Sequence, residues 1–143
     1  MQSIETADAP RPAGHYSQAI VHNGFVFVAG QLPIVPGQKE HRPGSIAEQT
    51  EQTLRNVEAI LRAAGSGLDR AVSITIYVSD MDYWGEVNNV YIRVMGSHKP
   101  ARAVVPVKEL HYGYALRYSV SRRYRSEARG QRSPGEPYNE NSR

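Results

Sequence analysis

The stretch Ser45-Ile46-Ala47-Glu48-Gln49-Thr50-Glu51-Gln52-Thr53-Leu54-Arg55-Asn56-Val57-Glu58-Ala59-Ile60-Leu61-Arg62-Ala63-Ala64-Gly65 is followed, five residues on, by Arg70-Ala71-Val72-Ser73-Ile74-Thr75-Ile76-Tyr77-Val78. The change of period between the two decides the fold class. In the first, the apolar side chains Ile46, Leu54, Val57, Ile60, Leu61 and Ala64 recur at helical spacing and define one buried face. Ser45 and Glu48 form a capping box that satisfies backbone N–H groups at the helix start, and Gly65 supplies a left-handed stop. In the second, Val72, Ile74, Ile76 and Val78 alternate with Ala71, Ser73, Thr75 and Tyr77, the period of a strand with one face in the core.

Upstream, residues 16–22 and 25–29 are extended in character. Asn23-Gly24 between them is the favoured type I′ turn pair, since both tolerate positive φ. The chain is therefore expected to open with a β-hairpin. Residues 31–44 hold Pro33, Pro36, Gly37 and Pro43 among charged side chains and read as a surface loop. Downstream, Ser79 and Asp80 can cap a second helix, whose stripe is Trp84, Val87, Tyr91 and Val94 and which Gly96 ends. Two further strands are predicted over 101–107 and from Tyr114 to about Tyr124.

The predicted order is β-β-α-β-α-β-β, an α/β (α+β) domain in which two helices cover one face of a mixed sheet. The other face is left with an apolar patch, an argument for assembly. The domain is expected to occupy residues 1–124. Residues 125–143 are polar, contain glycine and proline, lack periodicity and read as a disordered tail.

A chain of 143 residues has room for one domain. No run of about 18 apolar residues is present to span a bilayer. The first ten residues lack the basic start and apolar stretch of a secretory signal, and the chain has no cysteine, so a cytoplasmic location is the expectation. Absence of cysteine also removes thiol nucleophiles and thiolate metal sites, and the five histidines show no short ligand spacing, so no metal is expected. The net charge of +3 is spread along the chain and does not imply nucleic acid. The basic cluster from Arg117 to Arg125 is interleaved with Tyr118 and Tyr124, but alternate strand residues point to opposite faces. No Ser-His-Asp spacing and no phosphate loop occur. What remains is a set of polar residues at element boundaries, Tyr16, Gln31, Asn88 and Arg102, with Arg117 on the last strand.

Five segments then carry a resemblance. Gly14-His15-Tyr16-Ser17-Gln18, Val28-Ala29-Gly30-Gln31-Leu32-Pro33, Glu48-Gln49-Thr50 with residues 56–65, Val87-Asn88 with Tyr91, and Lys99-Pro100-Ala101-Arg102 resemble, in order and spacing, the signatures of the reactive intermediate deaminase (Rid, or YjgF) family. The resemblance runs from about Ala9 to Val120. It implies a chorismate mutase-like fold, a homotrimer with a barrel-like centre and sites between subunits. It also implies hydrolysis of enamines and imines to 2-keto acids and ammonia without a cofactor. Arg102 matches the family's carboxylate-binding arginine, and its planar guanidinium suits bidentate pairing. Tyr16, Asn88 and Gly30 match pocket positions, with Gln31 beside them.

Some positions depart from the family. Deaminating members carry a glutamate fifteen residues after the arginine, where this chain has Arg117. A second acidic position is Ser119, a small hydroxyl residue is replaced by Ala29, and the usual cysteine by Val104. Arginine, whose guanidinium is not deprotonated in proteins, is no general base at neutral pH. Two cations facing one pocket would favour a dianion. Three readings follow: deamination of an enamine or imine acid, possibly dianionic; a different reaction on, or simple binding of, an anionic intermediate of a specialised pathway; and RNA binding or cleavage.

Overall fold

The computed structural model describes residues 1–123. The tail expected from 125 onward, and the end of the last strand at Tyr124, lie outside the described residues. One six-stranded mixed sheet has the order β1-β2-β3-β6-β4-β5. Its strands are β1 (Gln2–Ile4), β2 (Ala19–His22), β3 (Phe25–Gln31), β4 (Ala71–Val78), β5 (Ala101–Pro106) and β6 (Leu116–Arg123). Helices α1 (Ile46–Ala63) and α2 (Trp84–Met95) fall where expected, so the order is the predicted one with β1 added ahead of it. Neither is long and apolar enough to cross a membrane.

The hairpin forms as expected, with Asn23 at φ 49° and Gly24 at φ 77° between β2 and β3. Its edge differs from expectation. Residues Tyr16 to Gln18 are not strand, and the short β1 pairs with β2 through Ser3 and Ile20. Three residues with one buried side chain carry too little pattern to be read as a strand.

Ser45 Oγ accepts the Glu48 N–H at 3.1 Å and caps α1. At the other end, the Ser66 N–H donates to Leu61 O and the Gly65 N–H to Arg62 O, the two bonds of a Schellman motif. Asp80 Oδ1 accepts the Asp82 N–H ahead of α2, whereas Ser79 bonds Ala115 O from the end of β4. The buried face of α2 is Val87, Val90, Tyr91 and Met95. Val94, expected in that stripe, is exposed, because the packed stripe follows positions 87, 90, 91 and 95.

Strand β4 keeps its alternation from Ile74 onward, with Ile74, Ile76 and Val78 fully buried. Val72 does not join them. The pairing with β6 shifts register between Ala71 and Ser73, and this bulge turns Val72 outward. Across the sheet, Val26 and Val28 of β3 and Leu116, Tyr118 and Val120 of β6 share the helix-covered face. The opposite face carries Ile20, Phe25, Phe27, Thr75, Ser119 and Ser121, and Phe27 is half exposed.

The core is not wholly apolar. Gln49, Thr50, Thr53 and Asn56 are buried on α1. Both threonine hydroxyls bond back to the helix, to Ile46 O and Gln49 O. The two amides do something else. Asn56 Nδ2 donates to Leu32 O at 3.1 Å and Ile34 O at 2.8 Å. Gln49 Nε2 donates to Gly44 O while its Oε1 accepts the Ala115 N–H. The loop between β3 and α1 is thereby fixed at both ends. Arg122 is also buried, with Nε and Nη1 unpartnered among the described residues; desolvation lowers its pKa, and neighbouring Arg70 adds to this.

Two outcomes follow. Asn56→Ala removes the partner of two part-buried carbonyls and is expected to cost about 1 kcal/mol in urea unfolding; a loss below about 0.3 kcal/mol would show the loop is held otherwise. Tyr118 presents a buried hydroxyl with no hydrogen-bond partner among the described residues. Burial, and then Tyr91, push its pKa up, while Arg102 opposes them. The unfolded chain releases this proton first, so the stability it contributes is intact below about pH 10 and declines as pH rises above that value. Tyr118→Phe is expected to be neutral or stabilising at pH 7 and to flatten the alkaline decline. A loss above about 1 kcal/mol at pH 7 would mean the hydroxyl is bonded.

Candidate functional site

Strand β5 runs parallel to β4, with Arg102 opposite Ile74 and Val104 opposite Ile76. Residues in register on neighbouring strands share a face, so Arg102 and Val104 lie on the helix side. There α2 receives the Arg102 side chain. Its Cζ sits 4.9 Å from the Trp84 ring centroid and 4.7 Å from that of Tyr91. Nη1 donates to Asn88 Oδ1 at 2.9 Å. Positions 84, 88 and 91 are one turn apart on one helix face, which is why three side chains can meet one guanidinium. Arg102 nonetheless remains exposed. Burial raises the Tyr91 pKa, and the arginine's charge opposes that shift. Val104 packs half-buried against the core.

A second group forms around a cleft of about 850 Å³ that Tyr16, Gly30 and Gln31 line. The register of β3 against β6 slips between Val28 and Gln31, and this irregularity contains Ala29 and Gly30. Gln31 Nε2 donates to Ala29 O across it, so the glutamine amide braces the bulge. The guanidinium of Arg117 lies directly on Gly30, where an added Cβ would collide with it. Only glycine leaves room for this approach. Tyr16 stands half exposed at the cleft with its hydroxyl accepting the Ala13 N–H at 3.3 Å. No carboxylate is among the residues lining the cleft.

Further residues, not expected from the sequence as site residues, build this cleft. Gln18 is buried; its Oε1 accepts the Thr6 N–H and its Nε2 donates to Thr6 O and Pro10 O, holding the segment that supplies Ala7, Ala9 and Pro10 to the lining. Asn56 and Gln49 hold the opposite wall through the loop that ends β3. His41 and Tyr112 line the far end. A glutamine within a quoted signature and a buried asparagine on a helix face were the available signals, but neither states its partner.

Arg117 pairs with Tyr77, and Ser119 with Thr75, on the sheet face opposite the helices. Arg102 and Arg117 thus do not face one pocket within a single chain. Alternation puts them on opposite faces, and β6 and β4 separate Gly30 on β3 from Arg102 on β5. Three strand spacings amount to about 14 Å. The expected site residues fall into two halves: Arg102, Asn88 and Val104 beside α2, and Tyr16, Ala29, Gly30, Gln31 and Arg117 around the β3 bulge, with Ser119 further along the bare face.

Comparison with known proteins identifies the family to which this fold belongs. The family model described as Endoribonuclease L-PSP matches residues 6–116. A RutC family protein of Pyrococcus horikoshii is 46% identical over 107 residues, covering 75% of this chain and 85% of the relative. A Thermotoga maritima crystal structure superposes with TM-score 0.84 at 39% identity, covering 88% of this chain and 99% of that one. Escherichia coli TdcF, crystallised with bound serine, gives TM-score 0.82 at 30% identity and covers 88% and 100%. By sequence, by fold and by the order of its motifs, the chain belongs to the Rid (YjgF) family.

Proposed function

We propose that the protein hydrolyses a reactive enamine or imine carboxylic acid to a 2-keto acid and ammonia, at sites assembled between the subunits of a homotrimer. The observation that carries this reading is the presentation of Arg102, an exposed guanidinium set over Trp84 and Tyr91 and tethered by Asn88. A fixed planar cation of this kind is suited to a carboxylate. The half-exposed Phe27 on the bare sheet face supplies apolar area for assembly, and assembly is how the two halves of the site would meet. Serine bound to the relative TdcF is a small amino acid with the same carboxylate and α-nitrogen.

The chemistry asks little of the protein beyond placement. The enamine takes a proton at carbon to become the imine, and protonation makes its C2 electrophilic. Water oxygen bonds to C2 as the C=N electron pair withdraws to nitrogen, and one water proton leaves to solvent. The carbinolamine then loses its hydroxyl proton, C–N breaks, and ammonia departs with a proton as the keto acid forms. Arg117 supplies no general base for the water proton, because a guanidinium is not deprotonated in proteins. Its place beside Gly30 instead puts a cation at the edge of a cleft with no carboxylate in its lining, a position that admits a second anionic group without requiring one. The same substitution favours a second reading, in which the site binds an anionic metabolite without turning it over.

The test generates 2-imino acids in place with an amino-acid oxidase and follows their loss by semicarbazide trapping. The wild type is expected to accelerate hydrolysis. Arg102→Ala is expected to lower kcat/KM about 100-fold and Arg102→Lys to recover only part of it. Binding of the keto acid with no acceleration would favour the second reading, and a monomeric mass at micromolar concentration would remove the intersubunit site.

A further inference from the structure

The cleft runs past Gly30 and Tyr16 to a wall that hydrolysis of a small imine would leave unused. His41 comes from the loop after β3, and Tyr112 from the turn His111–Gly113 ahead of β6. Their rings stack with centroids 3.8 Å apart and planes 9° from parallel. Tyr114 closes on His41 edge-on at 5.8 Å, and its hydroxyl lies 3.2 Å from His41 Nδ1. The loop that brings His41 here is the one Asn56 and Gln49 fix to α1. The stack is therefore part of a built wall.

Tyr112 itself is out of place as a turn residue. It sits at φ 62°, a conformation that glycine or asparagine adopts at lower cost. Yet half of its surface stays exposed, 49%, at the edge of the cleft. A bulky ring held in a strained backbone with one face backed by His41 is better explained by what it presents than by the turn it makes. Tyr16 is similarly bare at 54%. Between them the lining includes Leu32, Ile34 and Val35. A cleft of about 850 Å³ falls in the range that holds drug-sized ligands and far exceeds a three-carbon imino acid.

We infer that this cleft receives the aryl side chain of an aromatic 2-imino acid, with Tyr112, backed by His41, as the specificity-determining surface. Aromatic rings favour offset or edge-to-face contact with such a wall. The inference rests on the deaminase reading for the position of the carboxylate and the C=N bond, and it adds the identity of the side chain.

The full chain is assayed with imines made in place from L-phenylalanine and L-leucine, side chains of comparable reach that differ in aromaticity. The phenylalanine imine is expected to show kcat/KM about tenfold higher. Tyr112→Ala and His41→Ala should each reduce that ratio by about tenfold, while Tyr112→Phe keeps it. Equal values for the two imines, or a ratio unmoved by both alanine variants, would overturn the inference. If neither imine is hydrolysed faster than in buffer, deamination fails on its own account. Calorimetric titration of phenylpyruvate against 4-methyl-2-oxopentanoate then decides the side-chain subsite. Tighter phenylpyruvate binding that Tyr112→Ala abolishes sustains it, and equal or absent binding ends it.

Discussion

Strand alternation is the constraint on which the rest of the molecule depends. Consecutive side chains of a strand cannot share a face, so Tyr118 and Val120 go to the helices while Arg117 and Ser119 go to the bare side of the sheet. Parallel pairing of β5 with β4 then assigns Arg102 to the helix side with Ile74. The consequence is functional: the cation that suits a carboxylate and the cation that replaces the family's acid stand on opposite faces of one chain. A site that uses both needs a second copy.

Buried amides convert this sheet into a shaped cleft. Gln18, Gln49 and Asn56 each satisfy backbone groups of irregular segments that no ladder could satisfy. Burying an amide is unfavourable unless its donors and acceptors are matched, and here the match is to loop carbonyls. The walls around Tyr16 and Gly30 are therefore tied to the core by side-chain hydrogen bonds. Glycine at position 30 and the bulge that contains it complete the arrangement by letting the Arg117 guanidinium rest on the backbone.

Much of this was legible in the sequence, for physical reasons that differ by element. Helix α1 announced itself through its period, the Ser45 cap and the Gly65 stop, all local signals. Asn23-Gly24 likewise fixed the hairpin. Val72 was misplaced because a bulge is set by the partner strand, whose register is invisible in a local pattern. Val94 was misplaced because a helical stripe was drawn one position off the packed face. β1 was missed because three residues carry no measurable period. The individual site residues were legible through the Rid signatures, but their division into two halves was not. That division comes from the strand order β3-β6-β4-β5, a nonlocal property. The stacked pair of His41 and Tyr112 joins residues 71 positions apart and had no sequence signal at all.

The most direct measurement is complementation between two inactive variants, Arg102→Ala and the double variant Tyr16→Ala/Arg117→Ala, mixed after reversible dissociation. Each damages one half of the site and leaves the other half intact. If sites form between subunits, the reassorted population should recover imine hydrolysis to about a quarter of the native rate, because random assortment of equal amounts joins two intact halves at one interface in four. Mixed oligomers seen by native mass spectrometry with no recovered activity would contradict a site shared between subunits.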